Sequence, residues 1–121
     1  MFDHVGIYVA DLARSAAFYR AALAPLGYSV AYEDAFVVGL GPEGAPSLWL
    51  HAGSAAGART HVALRAPSRA AVANFYAAAR EAGGEDNGAP GLRPDYGATY
   101  YAAFVRDPDG HNVEAVFHGE A

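Results

Sequence analysis

The chain repeats itself, because a shift of 57 residues places its second half on its first half. The matching pairs other than alanine are His4/His61, Val5/Val62, Phe18/Phe75, Tyr19/Tyr76 and Gly27/Gly84. Alanine pairs match as well, but they carry little weight because alanine favours any helix. Further along, an offset of 66 residues brings residues 42–44 onto residues 108–110, as loop insertions would produce. The repeat predicts two copies of one folding unit.

The first copy has the pattern of a strand, a helix and three further strands. Residues 4–9 alternate so that His4, Gly6 and Tyr8 share one face, which is typical of a strand covered on one side. Asp11 is a candidate N-cap for an amphipathic helix that should stop before Pro25. Three short apolar or β-branched runs follow and are predicted as strands: 28–32, 36–40 and 47–51.

The second copy repeats this order. Residues 61–66 are predicted as a strand, and Ser68 as the cap of a helix that ends at Gly83 and Gly84. Residues 85–97 are predicted as a loop because they contain several glycines and prolines. The last two strands are expected at 99–106 and 112–117, around a turn at 107–110. These elements predict an α+β fold of two βαβββ modules in one domain, residues 1–121, with boundaries at about 1–56 and 57–121.

Composition narrows the classes of function. The chain has no cysteine, so disulfides and thiolate metal sites are excluded, and any metal must be held by His, Asp, Glu or backbone oxygen. The net charge of -5 lacks the basic footprint of a nucleic-acid binder. No apolar run has the length of a membrane helix, and the N-terminus lacks the pattern of a signal peptide. We therefore expect a soluble, cytoplasmic protein that contacts neither nucleic acid nor membrane.

Three residues are candidate metal ligands. If the two modules are related by a pseudo-twofold axis, the equivalent His4 and His61 point into one cavity from opposite sides. Glu114 lies on the last predicted strand between Val113 and Ala115, where an unpaired carboxylate would be costly to bury. Each residue alone is more simply explained as a polar residue at a sheet edge or in solvent. Together they match the two-histidine, one-carboxylate set that leaves coordination positions open.

At this point the sequence resembles the vicinal oxygen chelate superfamily, which includes glyoxalase I, extradiol dioxygenases, fosfomycin-resistance proteins and bleomycin-resistance proteins. The resemblance rests on the segments DHVGIYVADLARSAAFYRAALAPLGY, THVALRAPSRAAVANFYAAAREAGG and FVRDPDGHNVEAVFH. It implies a cavity enclosed by the two modules, with a divalent metal (Fe, Mn, Zn or Ni) bound by His4, His61 and Glu114. It also implies a catalytic role for Glu114 and small substrates that chelate through neighbouring oxygens.

One departure from the family pattern affects the expected chemistry. In glyoxalase I the strand equivalent to residues 47–51 supplies a fourth protein ligand, whereas the aligned position here is Leu48 or Trp49. His51 is close enough in sequence to be a substitute. Three ligands suit a dioxygenase better than a glyoxalase, although a dioxygenase also needs acid or base groups beside the metal. The tyrosines available for that role are Tyr8, Tyr100 and Tyr101.

Other residues are candidates for substrate binding. Arg93 lies in the long predicted loop, where its guanidinium could clamp a carboxylate or phosphate. Further candidates for lining the cavity are Asn87, Tyr96, Tyr100 and Trp49, whereas His111 and His118 are expected at the surface. The leading hypothesis is a metal-dependent enzyme of the glyoxalase or dioxygenase type that forms a homodimer. The alternatives are a small-molecule binding protein like the bleomycin-resistance proteins and, last, a purely structural domain.

Overall fold

The computed structural model describes residues 2–53 and 58–119 of the chain. The first module contains a strand, a helix and three further strands. Their bounds are β1 Val5–Val9, α1 Leu12–Leu23, β2 Tyr28–Glu33, β3 Val37–Pro42 and β4 Leu48–Ala52. The second module repeats the order with β5 His61–Arg65, α2 Arg69–Glu81, β6 Glu85–Leu92, β7 Tyr100–Arg106 and β8 Asn112–His118. The predicted α+β architecture of two βαβββ modules is confirmed.

Both helices begin at the predicted caps. The carboxylate of Asp11 accepts a 3.0 Å hydrogen bond from the amide of Arg14, and the hydroxyl of Ser68 accepts one of 3.0 Å from Ala71. Each bond satisfies an amide that has no partner within the helix. A short 3-10 turn, Ala24–Leu26, follows α1 and ends at Gly27, whose φ of 86° lies in the left-handed region.

Each module forms a four-stranded sheet, in the orders β1-β4-β3-β2 and β5-β8-β7-β6. The strands at one edge, β1 and β5, run parallel to their neighbours β4 and β8. One face of each sheet is covered by a helix, and the buried side chains of both modules form a single core that includes Phe18 and Phe75. Among the described residues, no helix covers the opposite face of either sheet. We call these the first open face, with Tyr8, Trp49 and His51, and the second open face, with His61 and Glu114.

A turn of the second module joins the two modules. The hydroxyl of Tyr19 on α1 donates a 2.6 Å hydrogen bond to the carboxylate of Asp107, and Asp109 accepts one from the amide of Ala10. The ring of His111 lies between the amide of Thr60 and the carbonyl of Tyr8. The prediction that His111 lies at the surface is wrong, because this residue is only 3% exposed. Both of its ring nitrogens are hydrogen-bonded to backbone groups, and these bonds compensate for the loss of hydration when the imidazole is buried.

The structure corrects the prediction of a loop at 85–97, because residues 85–92 form strand β6. The pairing of β6 with β7 shifts register twice, between Asp86 and Gly88 and again between Gly88 and Gly91. Glycine at a bulge and proline at a sheet edge are compatible with a strand of this kind, although both are typical of loops. In the described part of the chain, no helix is long and apolar enough to cross a membrane.

Candidate metal centre

Glu114 is a buried carboxylate on the second open face. It lies on β8, with Ala63 of β5 and Phe104 of β7 as its neighbours across the sheet, and it is 2% exposed. Its Oε1 lies 2.8 Å from Nε2 of His61, and its Oε2 accepts a hydrogen bond from the hydroxyl of Tyr100. The alternation of side chains along β8 places the carboxylate on this face. Each of its two oxygens has one hydrogen-bond partner, His61 for Oε1 and Tyr100 for Oε2.

Tyr100 acts as a hydrogen-bond donor at this site. Burial and the hydrogen bond to Glu114 raise the pKa of Tyr100 to about 12, because both favour the protonated hydroxyl beside a carboxylate. The ring packs edge-on against Tyr96 and His118, with centroid separations of 5.4 and 5.0 Å. The protonated hydroxyl therefore fixes one oxygen of Glu114, and the other oxygen faces His61.

His4 lies apart from this pair. It precedes β1, and its Nδ1 lies 2.7 Å from Oδ1 of Asp3, which leaves Nε2 for another ligand. It lines a cleft between the start of β1 and the edge of β5, together with Val62 and Arg65. Within residues 2–53 and 58–119, no three His, Asp or Glu side chains are close enough to hold one metal ion. A single chain therefore brings His61 and Glu114 together but does not add His4 to them.

The register of the sheets identifies the residue that is equivalent to Glu114 in the first module. Ala63 pairs with Glu114, and Gly6, which lies 57 residues before Ala63, pairs with Trp49. Trp49, rather than Leu48, therefore occupies the equivalent position. Its ring lies over Gly39, where an added Cβ would come within 2.7 Å of it, and 5.8 Å from the ring of Tyr32. An indole cannot bind a metal as the equivalent carboxylate could.

Arg93 is held against the second open face. Its Nη2 donates a 2.7 Å hydrogen bond to the carbonyl of Ala89, and its guanidinium lies 5.4 Å from the ring centroid of Phe104. The same phenyl ring lies 6.2 Å from the imidazole of His61. The ring of Phe104 therefore lies between the guanidinium of Arg93 and the imidazole of His61. At this position the guanidinium can bind an anionic group of a ligand.

The remaining predicted residues lie around this face at different depths. Tyr96 is exposed and packs on Tyr100, whereas the amide of Asn87 donates a 3.2 Å hydrogen bond to Asn112, the cross-strand neighbour of His61. Phe104 was not among the residues predicted from the sequence. The alternation of β7 places residues 100, 102 and 104 on one face, and that signal could have identified it.

The donor atoms present suit a divalent first-row metal ion. Bonds of about 2.0–2.2 Å to a nitrogen and an oxygen at roughly a right angle put the two donors about 3 Å apart. His61 Nε2 and Glu114 Oε1 are hydrogen-bonded at 2.8 Å, so an ion could take the place of the shared proton with little movement of the two side chains. The contact of His4 with Asp3 is the type of outer hydrogen bond that orients a metal-binding imidazole. His61, Glu114 and His4 thus have the chemistry of metal ligands, but only His61 and Glu114 are in contact within one chain.

Comparison with known proteins gives the family. The sequence model of the Glyoxalase/Bleomycin resistance protein/Dioxygenase superfamily matches residues 1–115. A search of curated proteins finds no match. Among solved structures, a glyoxalase/bleomycin resistance protein from Albidiferax ferrireducens T118 is 28% identical, with a TM-score of 0.81 over 98% of this chain and 99% of that chain.

Two further structures extend this likeness. A glyoxalase from Bacillus halodurans, described as putative, is 26% identical, with a TM-score of 0.73 over 97% of this chain and 95% of that chain. A lactoylglutathione lyase from Agrobacterium tumefaciens is 18% identical, with a TM-score of 0.71 over 97% and 92% of the two chains, and it shows likeness of fold alone. Given the match over residues 1–115, this chain belongs to the glyoxalase/bleomycin resistance protein/dioxygenase superfamily.

Proposed function

We propose that this protein is a metal-dependent enzyme of the glyoxalase or dioxygenase type. Its substrate is a small molecule that binds a divalent metal through neighbouring oxygens. The observation that carries the proposal is the carboxylate of Glu114, which is 2% exposed and lies between His61 and the hydroxyl of Tyr100. Burial of a carboxylate is costly, and a site that binds a cation gives a functional reason for it.

The chain's own residues have distinct roles in this proposal. A bound divalent ion would supply Lewis acidity toward the substrate oxygens. Glu114 would accept a proton from the bound substrate, while Tyr100 keeps the carboxylate oriented through Oε2. Arg93 orients an anionic group of the substrate from across Phe104. Trp49 forms part of the apolar wall that excludes water.

A second copy of the chain supplies His4 in this proposal. One chain holds His61 and Glu114 together without His4, so the ligand set is complete only if another His4 approaches the second open face. The exposed large apolar side chains favour such a contact. They include Tyr8 at 57% exposed on the first open face, Tyr96 at 68% beside the second, and Phe2 at 90% next to His4. A contact of this kind would remove these apolar side chains from water.

The test is metal content and melting temperature of the wild type and of His4→Ala, His61→Ala and Glu114→Gln. Each protein is measured with and without chelator. The proposal expects one ion per chain in the wild type, loss of the ion in each variant and a melting temperature that falls when the chelator removes it. If the wild type binds no divalent ion, or if all three variants keep it, the metal site is wrong.

A binding protein without catalysis is the second candidate, and the first open face favours it. Trp49 stands where a metal-binding carboxylate would be, and it lies beside Tyr32, so this face has an aromatic stacking surface at the position where the second open face has a carboxylate. A sequestering protein of this kind would bind flat, apolar molecules equally well with and without chelator. The enzyme would lose substrate binding when the metal is removed. Ligand titrations in both conditions therefore separate the two functions.

A further inference from the structure

His51 has an unusual position on the first open face. It lies on β4 opposite Tyr8 of β1, but its ring points toward Gly6, two residues earlier in β1, and packs over that glycine. A Cβ added to Gly6 would lie 2.9 Å from Nε2 of His51, so the imidazole occupies space that only glycine leaves open. The ring of Tyr8 lies behind it, with a centroid separation of 5.4 Å.

The place that this imidazole reaches has a counterpart in the second module. Gly6 is the repeat equivalent of Ala63, and Ala63 is the cross-strand neighbour of Glu114. His51 therefore brings a ring nitrogen to the level of the first sheet that corresponds to Glu114 in the second. Trp49, which starts from the equivalent backbone position, turns toward Gly39 and leaves that space to His51.

The ring nitrogens of His51 are available for a ligand. Among the described residues, His4, His61 and His111 each have a hydrogen-bond partner for a ring nitrogen, whereas His51 and the exposed His118 have none. His4 immediately precedes the edge strand β1 and lies two residues before Gly6. Its contact with Asp3 is made through Nδ1, so its Nε2 is not used in that contact. The first module thus presents two imidazoles where the family pattern would have one imidazole and one carboxylate.

We infer that His51 is a metal ligand that replaces the missing carboxylate of the first module. The inference rests on the proposed metal site. The complete set would contain three imidazoles, from His4, His51 and His61, and one carboxylate, from Glu114. Such a set is richer in nitrogen than two histidines with two carboxylates, and it favours Fe²⁺, Ni²⁺, Cu²⁺ or Zn²⁺ over Mg²⁺ or Mn²⁺. It also leaves Glu114 as the single carboxylate ligand available to move a proton.

The inference is tested by metal binding rather than by activity. Zn²⁺ affinity is measured by competition with a chelator for the wild type, His51→Ala and Gly6→Ala. His51→Ala removes the ligand, whereas Gly6→Ala keeps His51 and pushes its ring away from β1 with one methyl group. Both are expected to weaken binding by at least roughly tenfold, the loss caused by disturbing even an outer group of a metal site. Cu²⁺ loaded in place of Zn²⁺ should show three bound imidazoles by pulsed EPR, and two in His51→Ala.

The double variant Gly6→Ala/His51→Ala is the matched control. Without the imidazole, the added methyl group has no ring to displace, so Zn²⁺ affinity should stay within about twofold of that of His51→Ala alone. The inference is overturned if His51→Ala and Gly6→Ala keep wild-type affinity and imidazole count. If they do so while His61→Ala and Glu114→Gln lose the ion, the proposed function stands and only the role of His51 fails. A wild type without metal overturns both.

Discussion

Trp49 occupies on the first sheet the position that Glu114 occupies on the second. Both pair across the sheet with repeat-equivalent residues of the edge strand, Gly6 and Ala63. The two modules have therefore diverged at the one position where symmetry would give the site a second carboxylate. At this position the first open face has an aromatic ring, whereas the second open face has a carboxylate.

Restoring that carboxylate should change the metal preference. Trp49→Glu adds a hard oxygen donor to the first open face, and carboxylates suit Mn²⁺ better than imidazoles do. We expect the affinity for Mn²⁺ relative to Zn²⁺ to rise by about tenfold in competition titrations. Trp49→Gln, which has the same length but no charge, is the control. An equal rise in Trp49→Gln would show that removal of the indole, and not the new charge, is responsible.

Tyr100→Phe should weaken metal binding without altering the shape of the site. The phenyl ring keeps the packing against Tyr96 and His118, but Glu114 loses the hydroxyl that orients its Oε2. Loss of an outer hydrogen bond of this kind typically costs about 10–100-fold in metal affinity. Because the pKa of Tyr100 in the metal-free protein is raised to about 12, the hydroxyl stays protonated there through the neutral range. An absorbance titration of the metal-free protein should therefore show no Tyr100 phenolate between pH 7 and pH 9.

Tyr96→Phe serves as the control for this prediction. Its ring contacts Tyr100 edge-on, and it is largely exposed, so its hydroxyl should not influence Glu114. A phenolate absorbance that appears between pH 7 and pH 9 in the metal-free wild type and is missing in Tyr100→Phe would mean that Tyr100 ionises in that range. That result would contradict its role as a permanent donor.

Arg93→Ala should weaken the binding of anionic ligands and leave neutral analogues unaffected. The guanidinium is held by the carbonyl of Ala89 and by the ring of Phe104, so it meets a ligand with little loss of freedom. Arg93→Lys should recover only part of the affinity, because an ammonium cannot form the same paired hydrogen bonds. Arg20→Ala, at an exposed ion pair with Glu33, is the control for the loss of one positive charge. Unchanged affinity for every anionic ligand in Arg93→Ala would exclude this role.

The fold could be predicted further than the site because the repeat carries the fold. Equivalent residues such as Phe18 and Phe75 specify the same packing twice, and both helices begin at the caps that the sequence indicates. Strand β6 was predicted as a loop because its glycines and Pro90 are typical of loops. The repeat alone would have required a strand there, because β2 occupies the same place in the first module.

The site depends on contacts that local sequence does not encode. Strand alternation predicts that Glu114 and His61 share a face, but the meeting of Glu114 with Tyr100 depends on how β7 pairs with β8. The separation of His4 follows from the way in which the modules pack through α1 and α2, around one core. A repeat shows that two histidines are equivalent, and it does not show whether they meet within one chain, between two copies of it, or not at all.

Tyr19→Phe should destabilise the contact between the modules. The hydroxyl of this buried residue donates to the carboxylate of Asp107, and a hydrogen bond to a charged group contributes about 1.5–3 kcal/mol to the free energy of unfolding. Burial and the negative charge of Asp107 raise the pKa of Tyr19 well above its usual value. The folded protein therefore keeps this proton at pH values where the unfolded chain loses it, above about 10.

The stability gained from Tyr19 is thus complete below about pH 10 and declines as the pH rises further. Urea unfolding of the wild type and Tyr19→Phe should give a constant difference from pH 7 to pH 9 and a smaller one at pH 11. Tyr76→Phe, whose hydroxyl makes an exposed hydrogen bond to Asp86, should change stability by no more than about 0.5 kcal/mol. A Tyr19→Phe protein as stable as the wild type at pH 8 would contradict the prediction.

Mixing two defective variants tests whether the metal site is shared between copies of the chain. His4→Ala lacks the ligand of the first module, and Glu114→Gln lacks one of the second, so neither homodimer has a complete site. In a twofold-symmetric heterodimer of the two, one site lacks both ligands and the other site is intact. Unfolding and refolding an equimolar mixture should therefore restore about a quarter of the wild-type metal content, because about half of the dimers are mixed.

The control is a mixture of His61→Ala with Glu114→Gln. These two ligands come from the same module, where the structure places them 2.8 Å apart, so every site in that mixed dimer lacks at least one ligand. No metal should return in this case. The mixture of His4→Ala with Glu114→Gln could also bind no metal although both proteins refold and sediment as dimers. That result would show that His4 of one copy does not bind the metal held by His61 and Glu114 of the other. Sedimentation of the wild type as a monomer at micromolar concentration would refute the shared site directly.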